Sequence, residues 1–248
     1  MTKRILGIIP ARYASSRFPA KALADIAGQS MIQRVYHQAK LSANLQEVIV
    51  ATDHSAIYDH VVSFGGKAVM TANTHQSGTD RCFEAYQNYN QNFEYVINIQ
   101  GDEPFIQPQQ IDLLVEVLNG RIEIATLIKV IESQEVLFNV NTPKVLVNSS
   151  FEAQYFSRQT IPFLRDFPEN QWLNHHTFYK HIGIYAYRTN VLSEITKLKP
   201  SVWEKAESLE QLRWLEHGFR IQTVVTPYDS LGIDTPQDLT NALLMINL

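Results

Sequence analysis

The first half of this 248-residue chain alternates short apolar runs with amphipathic stretches, and that order narrows the fold more than any other feature. Ile5 to Ile9 reads as a buried strand. Met31 to Leu41 has helical periodicity, with Ile32, Val35, Tyr36 and Ala39 on one face. EVIVAT (47–52), a helix over 55–64, KAVM (67–70), a helix over 80–89 and YVINIQ (95–100) continue the alternation, and Pro108 suits the opening of a helix running through Leu118. The expected product is a three-layer α/β fold, a sheet with helices packed on both faces.

Further along, the order changes. IATLIKV, PKVLVN and YKHIGIYAYR read as strands separated by loops and short helices, so this part is expected to add antiparallel strands to a mixed sheet. A helix from Trp203 to His217 should stop at Gly218, followed by strand RIQTVV, the stretch LGIDTPQDL and a C-terminal helix. With no internal repeat and no Pro/Gly/Ser linker, the expectation is one domain over 1–248 with an elaboration around 125–200.

Composition limits the partners. A hydrophobic content of 45% supports a substantial core, and the formal charge of −4 opposes nucleic acid or an anionic membrane surface. Cys82 is the only cysteine, which excludes a disulfide framework and a CxxC metal site. The N-terminal apolar stretch is interrupted by Gly7, Pro10 and Arg12, too early for a signal peptide or a membrane span. A cytoplasmic protein without membrane insertion is expected.

An anionic ligand then needs a local basic patch, and IPARYASSRFPAK supplies Arg12, Arg17 and Lys21, with no acid before Asp25. The ten glycines contain no G-x-G spacing. The single Gly-Lys pair, Gly66-Lys67, has neither an upstream glycine at P-loop spacing nor a following Ser or Thr. Dinucleotide and P-loop fingerprints are therefore excluded. A loop leaving the first strand of a doubly wound sheet lies at the carboxyl ends of the strands, where ligands bind. There the hydroxyls of Ser15 and Ser16 and backbone amides can donate to phosphate, Arg17 offers a fork and Lys21 a point charge. Taken alone, the loop suits a solvated basic face equally well.

Two acids follow buried strands. Asp102, in NIQGDEPF, is placed to hold Mg²⁺, although Gly-Asp and Glu-Pro also favour an ordinary turn. Asp234, in GIDTPQDL, is a second candidate, although it or Thr235 also suits the cap of the last helix. A basic loop and two strand-end acids on one edge make a site for a nucleoside triphosphate with Mg²⁺.

IPARYASSRFPAK, HQSGTDR, NIQGDEPFI, YFSRQTIPF, KHIGIYAYR, ESLEQLRWLEHG and GIDTPQDL occur in that order across nearly the whole chain. Together they resemble the 3-deoxy-manno-octulosonate (Kdo) cytidylyltransferases. The resemblance implies a nucleotidyltransferase-like fold of GT-A or Rossmann type, CTP and Kdo as substrates, Mg²⁺ as cofactor, a homodimer and a place in lipopolysaccharide synthesis. It assigns Pro10, Ala11, Arg12, Ser15, Lys21, Thr79, Asp80, Arg81 and Gln100 to the nucleotide. Arg17 and Lys21 fall beside the triphosphate, and Asp102 and Asp234 on the metal. Gln100, Arg158, His181, Tyr185, Glu210 and Gln211 match sugar-side positions. Arg17, Lys21, Asp102 and Asp234 form the expected catalytic set. The alternatives are a cytidylyltransferase for another 2-keto sugar acid, such as 8-amino-Kdo or sialic acid, and a nucleotide-binding regulator without turnover.

One departure stands out. Relatives of this type usually read P-G-K where this chain has Pro19-Ala20-Lys21. A left-handed backbone costs alanine about 1 kcal/mol or more. Either position 20 has an ordinary φ, or the loop closes differently.

Overall fold

Ile5, Leu6, Ile8 and Ile9 have no exposed surface, and a strand buried on both faces reads as an unbroken apolar run. The computed structural model describes residues 3–14 and 18–246. The chain forms two compact units, residues 1–115 with 230–248 and residues 116–229.

The first unit contains β1 (Ile5–Ala11), a short hairpin of β2 (Asp25–Ile26) and β3 (Gln29–Ser30), α1 (Met31–Lys40) and β4 (Glu47–Thr52). It continues with α2 (Ser55–Ser63), β5 (Ala68–Met70), α3 (Gly78–Tyr89), β6 (Tyr95–Asn98) and α4 (Pro108–Val117). β1 lies parallel to both β4 and β6, and β4 lies parallel to β5, giving the order β6-β1-β4-β5. α1 buries Met31, Ile32, Val35, Tyr36 and Ala39, the face that its periodicity predicts, and the Ser30 side chain caps it by accepting from the Gln33 amide. Of these, Met31, Ile32 and Val35 each contribute about 1.5–3 kcal/mol when fully buried.

The path through this sheet fixes the site. From β1 the chain moves outward to β4 and β5, then returns to place β6 on the other side of β1. The reversal leaves a crevice between β1 and β6 at their carboxyl ends, where open α/β sheets bind ligands.

The second unit contains β7 (Ile124–Val130), α5 (Gln134–Phe138), β8 (Lys144–Val147), β9 (Ala153–Ser157) and α6 (Trp172–His175). β10 (Tyr179–Arg188), α7 (Thr189–Ile195), α8 (Val202–Glu207), α9 (Gln211–Glu216) and β11 (Ile221–Val225) complete it. β10 runs antiparallel to β7 and β8, β8 antiparallel to β9, and β11 parallel to β7. The expected antiparallel elaboration is present, with β9 as a strand the sequence reading did not single out.

The single helix expected over Trp203 to His217 is two helices. Ser208 adopts φ 53° and ends α8, which lets Leu209 turn into the core before α9 begins. A Ser201/Glu204 capping box starts α8, and Arg213 of α9 reaches back to Glu204 at 2.6 Å, so the break is cross-braced. Gly218, at φ 84°, follows α9 as expected.

The chain re-enters the first unit through α10 (Pro236–Ile246). Ile233 and Ala242 pack with Ile26 and Met31, joined by Phe18, Phe105, Leu239 and Leu243. This cluster roots the opening loop, the loop after β6 and the start of α10 in one apolar patch. Among the described residues no helix is long and apolar enough to cross a membrane.

Candidate active site

At the crevice between β1 and β6 lies an open cavity of about 370 Å³, lined from the opening loop by Arg12, Lys21 and Ala22 and from the loop after β6 by Gln100, Gly101 and Asp102. Pro10, Ala11, Gly78, Arg81 and Asp234 also line it. Gly101 permits this approach: a Cβ there would stand 2.6 Å from the Pro10 carbonyl oxygen.

Lys21 sits at the centre of the acids. Its Nζ donates to Asp102 Oδ2 at 2.8 Å and to Asp234 Oδ1 at 2.9 Å. Burial by itself would lower the pKa of this ammonium, but the charge and hydrogen bond of Asp102, followed by those of Asp234, outweigh it and raise the pKa. The backbone aims the side chain: the Ala20 amide donates to Tyr13 O at 3.1 Å, and Lys21 opens a 3-10 turn that closes from Ala24 N to Lys21 O at 3.0 Å. Ala20 adopts φ 53° and ψ 25°. Neither expected alternative holds, an ordinary φ at position 20 or a loop closed differently: the loop takes the left-handed turn that glycine would favour, and alanine bears the strain.

Asp234 is released from capping. The Thr235 hydroxyl accepts from the Asp238 amide at 3.2 Å, while Asp238 Oδ2 accepts from the Asp234 and Thr235 amides and from the Thr235 hydroxyl. This reciprocal pair is the cap of α10, and it leaves the Asp234 carboxylate turned toward Lys21. Next to Asp102, burial pushes the Glu103 carboxyl up to about 7, with a Ser230 hydrogen bond opposing and the Asp102 charge adding to the rise.

The GTDR stretch is placed differently from its expected helix start. The helix expected from 80 already begins at Gly78, and Ser77 caps it by accepting from the Asp80 amide at 3.1 Å. Thr79 is buried in the first turn. Arg81 reaches the cavity wall but spends its guanidinium on Asp53 Oδ2 at 2.9 Å and Thr71 Oγ1 at 2.6 Å. Asp53 Oδ1 in turn accepts from the Tyr13 amide at 3.2 Å, and the Tyr13 ring stacks on His54 at 3.9 Å. Asp53 was not anticipated from the sequence. It follows strand EVIVAT just as Asp102 follows YVINIQ, and that shared strand-end position was the available signal. His75, Gln76 and Ser77 also line the cavity. Ser15 and Arg17 lie outside the described residues.

The residues matched to the sugar side all belong, apart from Gln100, to the second unit. His181 Nε2 meets Thr126 Oγ1 at 3.0 Å, and burial pushes its pKa down to about 3, so the ring is neutral near pH 7. The His181 and Tyr185 rings lie 5.2 Å apart, and Tyr185 meets Trp214 edge-on at 5.1 Å. Burial, with the Glu210 charge adding to it, pushes the Tyr185 phenol well above its ordinary range. Among the described residues, Gln211 Nε2 is a buried polar atom without a hydrogen-bond partner. Such atoms are costly unless a ligand or water satisfies them. Arg158 is already engaged: Nε donates to Glu207 O at 2.7 Å, Nη1 to Val140 O at 3.2 Å and Nη2 to Ser208 O at 3.4 Å. Three of its five N–H donors are thus committed to the C-terminal end of α8, to Ser208 after it and to Val140.

The chain is similar to known proteins over nearly its whole length. The sequence profile of the cytidylyltransferase family matches residues 6–221. A 3-deoxy-manno-octulosonate cytidylyltransferase from Cytophaga hutchinsonii is 60% identical over 95% of this chain and 94% of its own. One from Parabacteroides distasonis is 52% identical over 98% of both chains. Among solved structures, a CMP:2-keto-3-deoxy-manno-octonic acid synthetase complexed with CTP superposes with a TM-score of 0.91 at 40% identity, covering 99% of each chain. The chain belongs to the cytidylyltransferase family, among its 3-deoxy-manno-octulosonate cytidylyltransferases.

Proposed function

We propose that this chain transfers CMP from CTP to the anomeric hydroxyl of Kdo, releasing pyrophosphate and forming CMP-Kdo for lipopolysaccharide synthesis. The observation that carries the reading is the convergence of Lys21, Asp102 and Asp234 on one point beside a nucleotide-sized cavity at the sheet's switch point. The 60% identity to a named cytidylyltransferase narrows the nucleotide to CTP and the acceptor to Kdo, a step the geometry alone does not take.

The acids fit Mg²⁺. Asp102 Oδ2 and Asp234 Oδ1 already surround one cationic atom, the Lys21 ammonium, and two hard carboxylate oxygens completed by water and phosphate are what Mg²⁺ takes. Bound there, Mg²⁺ supplies charge neutralisation and Lewis acidity toward the phosphoryl oxygens. The chain's own residues do the rest. Lys21, with Arg12 and Arg17, draws the tetraanionic triphosphate to the opening loop and stabilises charge that builds on the leaving pyrophosphate. Gln100 takes the ribose side. Arg158, His181, Tyr185, Glu210 and Gln211 bind the sugar acid, with Arg158 on the carboxylate and the neutral imidazole of His181 on a hydroxyl. The anomeric oxygen attacks the α-phosphorus in line; the new P–O bond forms as the bond from α-phosphorus to the α,β-bridging oxygen breaks, pyrophosphate leaves with that oxygen, and the hydroxyl proton passes to solvent. We further propose that the enzyme works in the cytoplasm as a homodimer.

Pyrophosphate release from CTP, Mg²⁺ and a panel of 2-keto sugar acids tests the reading. Turnover with Kdo supports it. Turnover with sialic acid or 8-amino-Kdo alone moves the substrate assignment, and nucleotide binding without any turnover makes the chain a regulator.

A further inference from the structure

Lys21 stands where the metal is needed. A Mg²⁺ ion held by both carboxylates would lie about 2.1 Å from each oxygen. That region is covered by an ammonium 2.8 Å from one of them and 2.9 Å from the other. The two cations compete for the same oxygens, and both contacts are charge-assisted hydrogen bonds of good length. Only 15% of the lysine side chain is exposed, so it is sheltered more than the acids, which are 32% and 45% exposed.

We propose that Lys21 is the resident counter-ion of the ligand-free acid pair, excluding divalent metal until a triphosphate draws the ammonium away. This rests on the assignment of Asp102 and Asp234 as metal-holding residues. The loop is built for such an exchange. The backbone of residue 21 is pinned by hydrogen bonds from Lys21 N to Phe18 O and from Ala24 N to Lys21 O, so the ammonium moves by rotation of its four-carbon stem alone. The triphosphate is the stronger partner, because it offers several anionic oxygens on the cavity side of the loop. Drawing Lys21 off leaves two carboxylates facing each other, and their repulsion is relieved by Mg²⁺. Nucleotide and metal therefore bind with positive coupling. By linkage each raises the affinity of the other by the same factor. The protein thus avoids holding a bare metal site in the absence of substrate.

The test uses the full chain without nucleotide and Mn²⁺ as the probe, with bound and free metal separated by electron paramagnetic resonance. Lys21→Met keeps the apolar stem and removes the charge, and Lys21→Gln is the second variant if the first fails to fold by circular dichroism. The parent should bind Mn²⁺ weakly, and the variant at least about tenfold more tightly, the effect expected on removing one competing charge at this distance. Adding Asp102→Asn to the variant should abolish the gain. Equal Mn²⁺ affinity in parent and Lys21 variants, still sensitive to Asp102→Asn, overturns the exclusion by Lys21 while leaving the acids as the metal site. Mn²⁺ binding indifferent to Asp102→Asn in both backgrounds removes the metal assignment and the proposal with it.

Discussion

The amide of Ile233 donates to the carbonyl oxygen of Asp102 at 2.9 Å. This main-chain bond joins the loop after β6 to the segment ahead of α10, and it brings two acids 132 positions apart in sequence to one lysine. The spacing of the carboxylates is therefore set by backbone, not by the acids themselves. Replacing either carboxylate should leave the fold in place.

Asp102→Asn and Asp234→Asn should each lower kcat by about 10²-fold or more, because the amide keeps the shape but lacks the charge. The melting temperature should stay near that of the parent. Near-normal kcat at saturating Mg²⁺ in either variant would remove that residue from the metal site.

Asp53→Ala tests the brace behind the opening loop. Arg81 and Asp53 are only 5% and 11% exposed, so removing one partner strands a buried charge, at a cost of about 3 kcal/mol. The same carboxylate holds the Tyr13 amide, and Tyr13 O holds Ala20 N, one residue from Lys21. Chemical denaturation should show the stability loss, and steady-state kinetics a raised KM for CTP. A variant as stable as the parent would show that the pair contributes nothing net.

These two predictions draw on different amounts of sequence information. The alternation of β1, α1, β4, α2 and β5 was legible because strands buried on both faces read as apolar runs, and helices with one buried face read as 3.6-residue periods. Asp102 was legible as a strand-end group and Lys21 as part of the basic loop after β1, whereas Asp234, expected at the end of the strand RIQTVV, lies nine residues past β11 and reaches the site in the segment ahead of α10. The break at Ser208 was not: a single serine at positive φ leaves no mark in a pattern of charges and leucines. Nor was Arg81's partner, because a basic residue in a motif does not reveal which acid it faces. The left-handed Ala20 was not legible either: the steric cost of a left-handed alanine argued for an ordinary φ or a different loop, and the backbone overrides that preference.

Ala20→Gly should raise stability by up to about 1 kcal/mol, since it relieves a left-handed alanine while adding some freedom to the unfolded chain. As Lys21 already reaches both acids, kcat should change little. A large rate gain would show that alanine misaims the lysine.

His181 gives a signed pH effect. Its folded pKa of about 3 lies below the ordinary 6.5, so below pH 6.5 the unfolded chain binds a proton that the folded chain does not. Stability should fall as pH drops from 6.5 toward 3, and His181→Gln should flatten that part of the stability profile. An unchanged acid limb in the variant would mean that His181 does not titrate as its burial requires.

Pyrophosphate release from the purified chain given CTP, Mg²⁺ and Kdo decides whether it transfers CMP to Kdo. The predicted result is one pyrophosphate and one CMP-Kdo per CTP consumed, stopped by chelating Mg²⁺ and poorly supported by ATP or UTP. No pyrophosphate with Kdo or any other 2-keto sugar acid, from a folded protein, would contradict it.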